Sequence, residues 1–302
     1  MKQFKKVLVG LDLTEMDNIL IEKTAKLVTA LGIDKIYFVH VEKDLSLPEE
    51  VAKAYPDLLA PVDEAIKKDI FVKVKEWIPE SVEIDISVKE GNPMETILRW
   101  AKIKNIDLLI MGRKIELDGN GTLAKNLAQK APCSVLFLTE DIKIRELEQI
   151  LVPIDFSEHS YLTLQFVERL SQNFNANISC IHIFEVPKGY YKTGKSYNEF
   201  VQIMEKNAKK EYEVFIHKHK LHHYDCQFVL KEDDPAAIYI LDTAKNLQVD
   251  MIVMGSRGRT DSAAFLLGSV AEKLIQINNQ TPMLILKKKG ENMTFLEALL
   301  KI

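Results

Sequence analysis

The chain has 302 residues, 47% of them hydrophobic and 28% charged, with a formal net charge of −4. That length suits two domains of about 150 residues, each with apolar content enough for a core of its own. The mildly acidic balance gives no electrostatic case for nucleic-acid or membrane binding, and the apolar run after the basic N-terminus stops at Asp12, too early for a signal peptide or a membrane span.

In chain order, Lys6–Leu11 (KVLVGL) reads as a short buried strand ending at Asp12, and Ile36–Val41 (IYFVHV) as a second. Gly91-Asn92-Pro93 then opens an amphipathic helix, Leu108–Gly112 (LLIMG) is a further strand, and Pro132–Leu136 (PCSVL) carries the last strand of the series. After the polar join Thr139–Gln149 the series repeats. Ile150–Ile154 (ILVPI) ends at Asp155 as the first strand ends at Asp12, and Ile178–Phe184 (ISCIHIF) places His182 in register with His40. Asp233-Asp234-Pro235, Asp250–Met254 (DMIVM) and Pro282–Leu286 (PMLIL) complete the second copy.

Alternation of strand and helix in both halves predicts an α/β fold: two tandem doubly wound domains, each a five-stranded parallel sheet with helices on both faces and right-handed crossovers. The expected division is 1–140, 148–290 and an apolar tail at 291–302, where Phe295, Leu296, Leu299 and Leu300 recur at helical spacing. A short polar join favours pairing of the two domains within the chain. Cys133 and Cys180 lie in strand-like runs, Cys226 precedes another, and no C-x-x-C occurs, so reduced thiols in a cytoplasmic protein are expected.

The densest signal is Met254–Lys273, MGSRGRTDSAAFLLGSVAEK. A strand delivers the chain to Gly255, a loop carries Gly258 and Gly268, and Ser269 opens a helix-period segment through Val270, Leu274, Ile275 and Ile277. Glycine permits close approach of backbone to a ligand or a positive φ, and the N–H groups at a helix start attract anions. Ser269 is suited to cap that helix or to donate to a phosphate, while Arg257 and Arg259 add positive charge.

G-x-x-G, nine residues, then G-S, set between a strand and a helix, resembles the ATP-binding signature of the universal stress protein family. The resemblance implies strand order 3-2-1-4-5, with ligand bound where the first and fourth strands lie side by side. It implies ATP, with or without Mg²⁺, in the second domain. Pro153, Ile154 and Ile183 would lie beside the base and Asp155 near the ribose, with Met254, Gly255, Arg257, Gly258, Gly268, Ser269 and Val270 around the phosphates. A helix cap is the competing role for Asp155, and a hydrogen-bonded core position the expected role for His182. The family also pairs fifth strands between protomers, which the two domains could do internally and which leaves a homodimer open. The role implied is regulatory, in stress response through conformation or a partner, with slow ATP hydrolysis or phosphotransfer and a ligand-free interaction scaffold as the alternatives.

The first half keeps Asp12, Gly112 and Gly121-Thr122, but only nine steps separate Gly112 from Gly121, against thirteen from Gly255 to Gly268. Ile115 replaces Gly258, and Glu116 and Asp118 bring negative charge. One ATP per chain is therefore expected. Two other motifs compete for attention. Gly189–Ser196 (GYYKTGKS) satisfies the P-loop pattern but follows the second strand of its half, and Ser196 with Glu199 also reads as a capping box. His217, His219, His222 and His223 are dense enough to suggest metal, yet Lys218 and Lys220 are interleaved, so a solvated helix end is expected.

Overall fold

The computed structural model describes residues 4–45, 62–113, 122–140, 147–259 and 267–290. The tail at 291–302 lies outside them. The described residues fall into two compact units, one built on the first five strands and one on the last five.

In the first unit the elements are β1 (Lys6–Leu11), α1 (Met16–Leu31), β2 (Lys35–Glu42), α2 (Val62–Trp77), β3 (Glu83–Glu90), α3 (Pro93–Ile103), β4 (Leu108–Arg113), α4 (Thr122–Lys130) and β5 (Ser134–Thr139). Its strands run in the order β3-β2-β1-β4-β5, every pair parallel. The second unit holds β6 (Gln149–Pro153), α5 (Glu158–Phe174), β7 (Asn177–Phe184), α6 (Tyr197–His219), β8 (Asp225–Leu230), α7 (Ala236–Asn246), β9 (Met251–Gly255), α8 (Ser269–Ile277) and β10 (Met283–Leu286). Its order, β8-β7-β6-β9-β10, repeats the first and is again parallel. Both are the 3-2-1-4-5 order implied by the family resemblance.

The strands are short apolar runs: β1 is buried at every position after the first, and β5 and β10 are buried throughout. Such continuous burial is what a sheet covered on both faces requires. Local chemistry sets the helix ends. Asn92 caps α3 by accepting from the Glu95 N–H at 3.2 Å, with Pro93 in the first helical position, and Gly32 ends α1 at a left-handed φ of 67°.

One carboxylate in each unit aligns the two strands that matter for the site. Asp107, just before β4, accepts from the Lys6 N–H at 2.9 Å, and its own N–H donates to the Lys6 carbonyl at 2.8 Å. Asp250, just before β9, accepts from the N–H groups of Glu148 and Gln149, both at 2.8 Å, and donates its N–H to the Gln149 carbonyl at 2.9 Å. These ties set the first and fourth strands in register from their starts, so that their opposite ends open together. Asp250→Ala removes two charge-assisted bonds and should lower unfolding free energy by about 1.5–3 kcal/mol in urea denaturation.

Candidate functional site

At the carboxyl ends of β6, β7 and β9, and against the start of α8, the second unit encloses a cavity of about 380 Å³. This is the point where strand order reverses, the usual ligand position in open parallel sheets. Every residue assigned to the site from sequence lines this one cavity: Pro153, Ile154 and Asp155 from the end of β6, Ile183 from β7, Met254 and Gly255 from β9, Arg257 and Gly258 from the loop, and Gly268, Ser269 and Val270 from the helix start. The loop between Arg259 and Leu267 lies outside the described residues.

Asp155 is the centre of the arrangement. Its Oδ1 accepts from the Ser157 N–H at 3.1 Å and the Ser160 hydroxyl at 2.7 Å, while Oδ2 accepts from the Arg259 N–H at 2.8 Å. Burial pushes its pKa up, but the bonds from Ser157, Ser160 and Arg259 outweigh that and leave it below the ordinary value. The helix cap is a different residue: Ser157 accepts from the Ser160 N–H at 3.3 Å and opens α5. Asp155 instead clasps the glycine loop to the end of β6.

The glycines serve close approach here. A Cβ on Gly258 would stand 2.5 Å from Asp155 Oδ2, and one on Gly255 would stand 2.8 Å from the His159 Cβ. Neither has a positive φ, so of the two uses of glycine left open by the sequence, close approach is the one found at positions 255 and 258. The helix start also differs from expectation. Gly268 is the N-cap of α8, Ser269 is the first helical residue, and no side chain caps the end. Gly268, Ser269, Val270 and Ala271 line the cavity, so the positive end of the helix dipole abuts it.

His182 holds the expected buried position, its Nδ1 2.9 Å from the Ile154 carbonyl, which makes that nitrogen the donor. It also lines the cavity, and burial lowers its pKa, so the ring stays neutral. Phe156 stacks on it at 4.3 Å and 24°. Sequence reasoning missed Ser160, Glu185 and Lys231 as lining residues; Glu185 pairs with Lys231 at 2.9 Å across adjacent strand ends. Only the five-residue step from Asp155 to Ser160 carried a signal, one turn into the helix after the strand.

The competing motifs resolve locally. In Gly189–Ser196, residues Tyr190–Thr193 form a 3-10 turn, and Ser196 caps α6 in a full capping box, accepting from the Glu199 N–H at 3.3 Å while its own N–H donates to Glu199 at 2.8 Å. None of these residues lines the cavity. In the histidine cluster, α6 ends at His219, which stacks on Tyr161, while His222 and His223 pair with Glu168 and Glu213. Among the described residues no grouping suits a metal ion, and no helix is long and apolar enough to cross a membrane.

The universal stress protein family model matches residues 3–138 and again 146–287. The chain belongs to the universal stress protein family. A universal stress protein of Methanocaldococcus jannaschii, MJ0577, is 29% identical over 157 residues, which are 47% of this chain and 96% of that protein. Solved structures extend the likeness to the whole length. A functionally unknown protein of Pseudomonas aeruginosa, PA1789, has a TM-score of 0.67 at 15% identity over 99% of this chain and 98% of its own. A universal stress protein from Archaeoglobus fulgidus has 0.57 at 16% identity over 95% and 97%. At these identities the two show the fold.

This universal stress protein uses the same frame differently in its two halves. Leu13 and Phe156, each just after the strand-end aspartate, share a positive φ of 61° and 64°. Asp17 then stands where the second half has Ser160. It is buried, its carboxylate accepting from the N–H groups of Asp12 at 3.0 Å and Leu13 at 2.9 Å. Burial raises its pKa, and the nearby Asp12 carboxylate adds to the rise. The first half thus sets two carboxylates at its strand end where the second sets one and a hydroxyl. The shortened loop, with Ile115, Glu116, Asp118 and Gly121, lies outside the described residues.

Two measurements check this site. Because the folded pKa of Asp155 is depressed, its clasp contributes stability above the ordinary carboxylate value of 3.8 and loses it as pH falls through the folded value. Asp155→Asn should therefore flatten the acid limb of the stability–pH curve below about pH 4. Ser196→Ala should lower unfolding free energy by about 1 kcal/mol, the usual cost of a lost cap, and leave ligand affinity unchanged.

Proposed function

We propose that the second domain binds ATP, with or without Mg²⁺, one molecule per chain, and that the protein acts through conformation or a partner in stress response. The observation that carries this reading is the meeting of an apolar wall and an anion-binding wall in one cavity. Pro153, Ile154, Ile183 and Met254 supply apolar surface for a base. The same cavity is lined by the helix start at Gly268–Val270, the glycine loop and the cationic residues Arg257 and Arg259. A flat apolar ring joined to a polyanion fits both walls, and the volume lies within the range of small-molecule sites. In this reading Asp155 meets the sugar.

Binding without fast chemistry is favoured over hydrolysis. Among the described residues the carboxylates lining the cavity are Asp155, engaged by three donors, and Glu185, paired with Lys231. Neither is placed to activate a water. In the first half, the second carboxylate at the strand end, Asp17, would repel phosphate oxygens, in line with its altered loop. The domains, with expected limits of 1–140 and 148–290, pair within a cytoplasmic monomer in this reading, and light scattering separates that from a homodimer.

Calorimetric titration of the protein with ATP should give a site number near one. Gly258→Asp sets a side chain and a negative charge against the Asp155 carboxylate and the phosphates, and should abolish binding, whereas Lys195→Ala should retain it. A site number near two, with one site surviving Gly258→Asp, would contradict the assignment. Turnover of ATP at more than a few per hour would favour the enzyme reading.

A further inference from the structure

The face of α6 that looks past the cavity carries a second recess, a groove of about 400 Å³. Its floor is apolar, made by Phe156, Phe215 and Val214, and Val214 is 58% exposed. Lys210 and Lys218 stand on its rim, two helical turns apart, which at 1.5 Å per residue is about 12 Å. Among the described residues neither lysine forms an ion pair, while the one carboxylate of the lining, Glu211, is taken by Arg259 Nη2 at 2.5 Å. The uncompensated charge of the groove is therefore positive around an apolar floor.

That combination selects an occupant. An apolar recess needs side chains that enter it, and two cations spaced by two turns match carboxylates at i and i+7 or i+8 of a facing helix. A nucleic-acid backbone or an anionic lipid headgroup surface would answer the lysines but offer no apolar knob to the recess.

The groove also shares a wall with the cavity. Phe156 is 5.7 Å from Phe215 on the groove side and stacks on His182 on the cavity side. Arg259 lies over the same ring at 5.3 Å, donates its side chain to the Asp155 carbonyl and its N–H to the Asp155 carboxylate, and reaches Glu211 in the groove. Asn207 steadies Glu211 from the other side at 3.0 Å. Any ligand that changes what Arg259 bonds in the cavity changes Glu211 in the groove, and the coupling acts equally in reverse.

We propose that this face of α6 is a docking surface for an acidic amphipathic helix of a partner protein, coupled to the cavity through the Arg259–Glu211 pair. The coupling rests on the nucleotide reading given above, while the docking does not. The probe is a fluorescein-labelled synthetic helix with a leucine stripe flanked by glutamates, titrated with the full chain and read by anisotropy, against the same peptide with lysine for glutamate. The acidic peptide should bind at least tenfold more tightly. Lys210→Glu with Lys218→Glu, and separately Val214→Asp, should each weaken it at least tenfold, with unchanged circular dichroism. Tyr191→Glu, an exposed aromatic away from the groove, should leave it unchanged. Saturating ATP should shift the peptide affinity at least threefold in the parent chain and not in Glu211→Gln. No binding, equal binding of the two peptides, or binding that survives the lysine pair overturns the docking surface. Peptide binding in a protein that calorimetry shows does not bind ATP would overturn the nucleotide reading and leave the surface standing. ATP binding without any shift in peptide affinity would overturn the coupling alone.

Discussion

The second domain's site depends on where one carboxylate spends its lone pairs. Asp155 ends β6, and its oxygens receive the start of the next helix through Ser157 and Ser160 and the glycine loop through Arg259. Strand end, helix start and glycine loop would otherwise be separate pieces of chain. Because the loop lies within 2.5 Å of that carboxylate at the place a Cβ would occupy, only glycine at position 258 lets the clasp close. Burial works against an ionised group here, and the donors together outweigh it.

Duplication supplied the frame twice, and the strand-end chemistry then diverged. Both halves carry the same strand order, the same aspartate tying the fourth strand to the first, and the same left-handed residue after the strand-end aspartate. These features lie in the frame of the sheet and are shared by both halves. Ser160 and Asp17 are not shared. Each satisfies the strand-end N–H, through a hydroxyl in one half and a carboxylate in the other, but the second choice adds negative charge where an anion would have to approach.

Bulky residues at positive φ are held there by their surroundings, at a local cost of about 1–3 kcal/mol. At Phe156 the surroundings are His182, Phe215 and the Arg259 guanidinium, so a strained turn is exchanged for a ring that divides the cavity from the outer groove. The site is consequently joined to α6 by packing and by a charged pair.

How much of this was legible beforehand follows from the range of each interaction. Strand and helix alternation, the internal repeat and the glycine spacing are periodic features of the chain itself, and they determined an α/β tandem and pointed to Gly255, Gly258 and Gly268 without any tertiary information. The strand order and the roles of Pro153, Ile154 and Ile183 came from the family resemblance, because pairing between strands distant in sequence leaves no local mark. The capping box at Ser196 was readable for the opposite reason: both partners lie within one turn. What only the tertiary structure decided are contacts across the fold. Gly258 is required by Asp155, more than a hundred residues earlier, and by steric approach with no call on positive φ; Gly268, and not Ser269, caps α8, since the chain path into the helix sets the cap; and Arg259 meets Glu211 across two elements that no spacing rule connects. Periodicity records what a segment does with its own neighbours, and the folded chain alone brings the charges of distant segments within reach of one another.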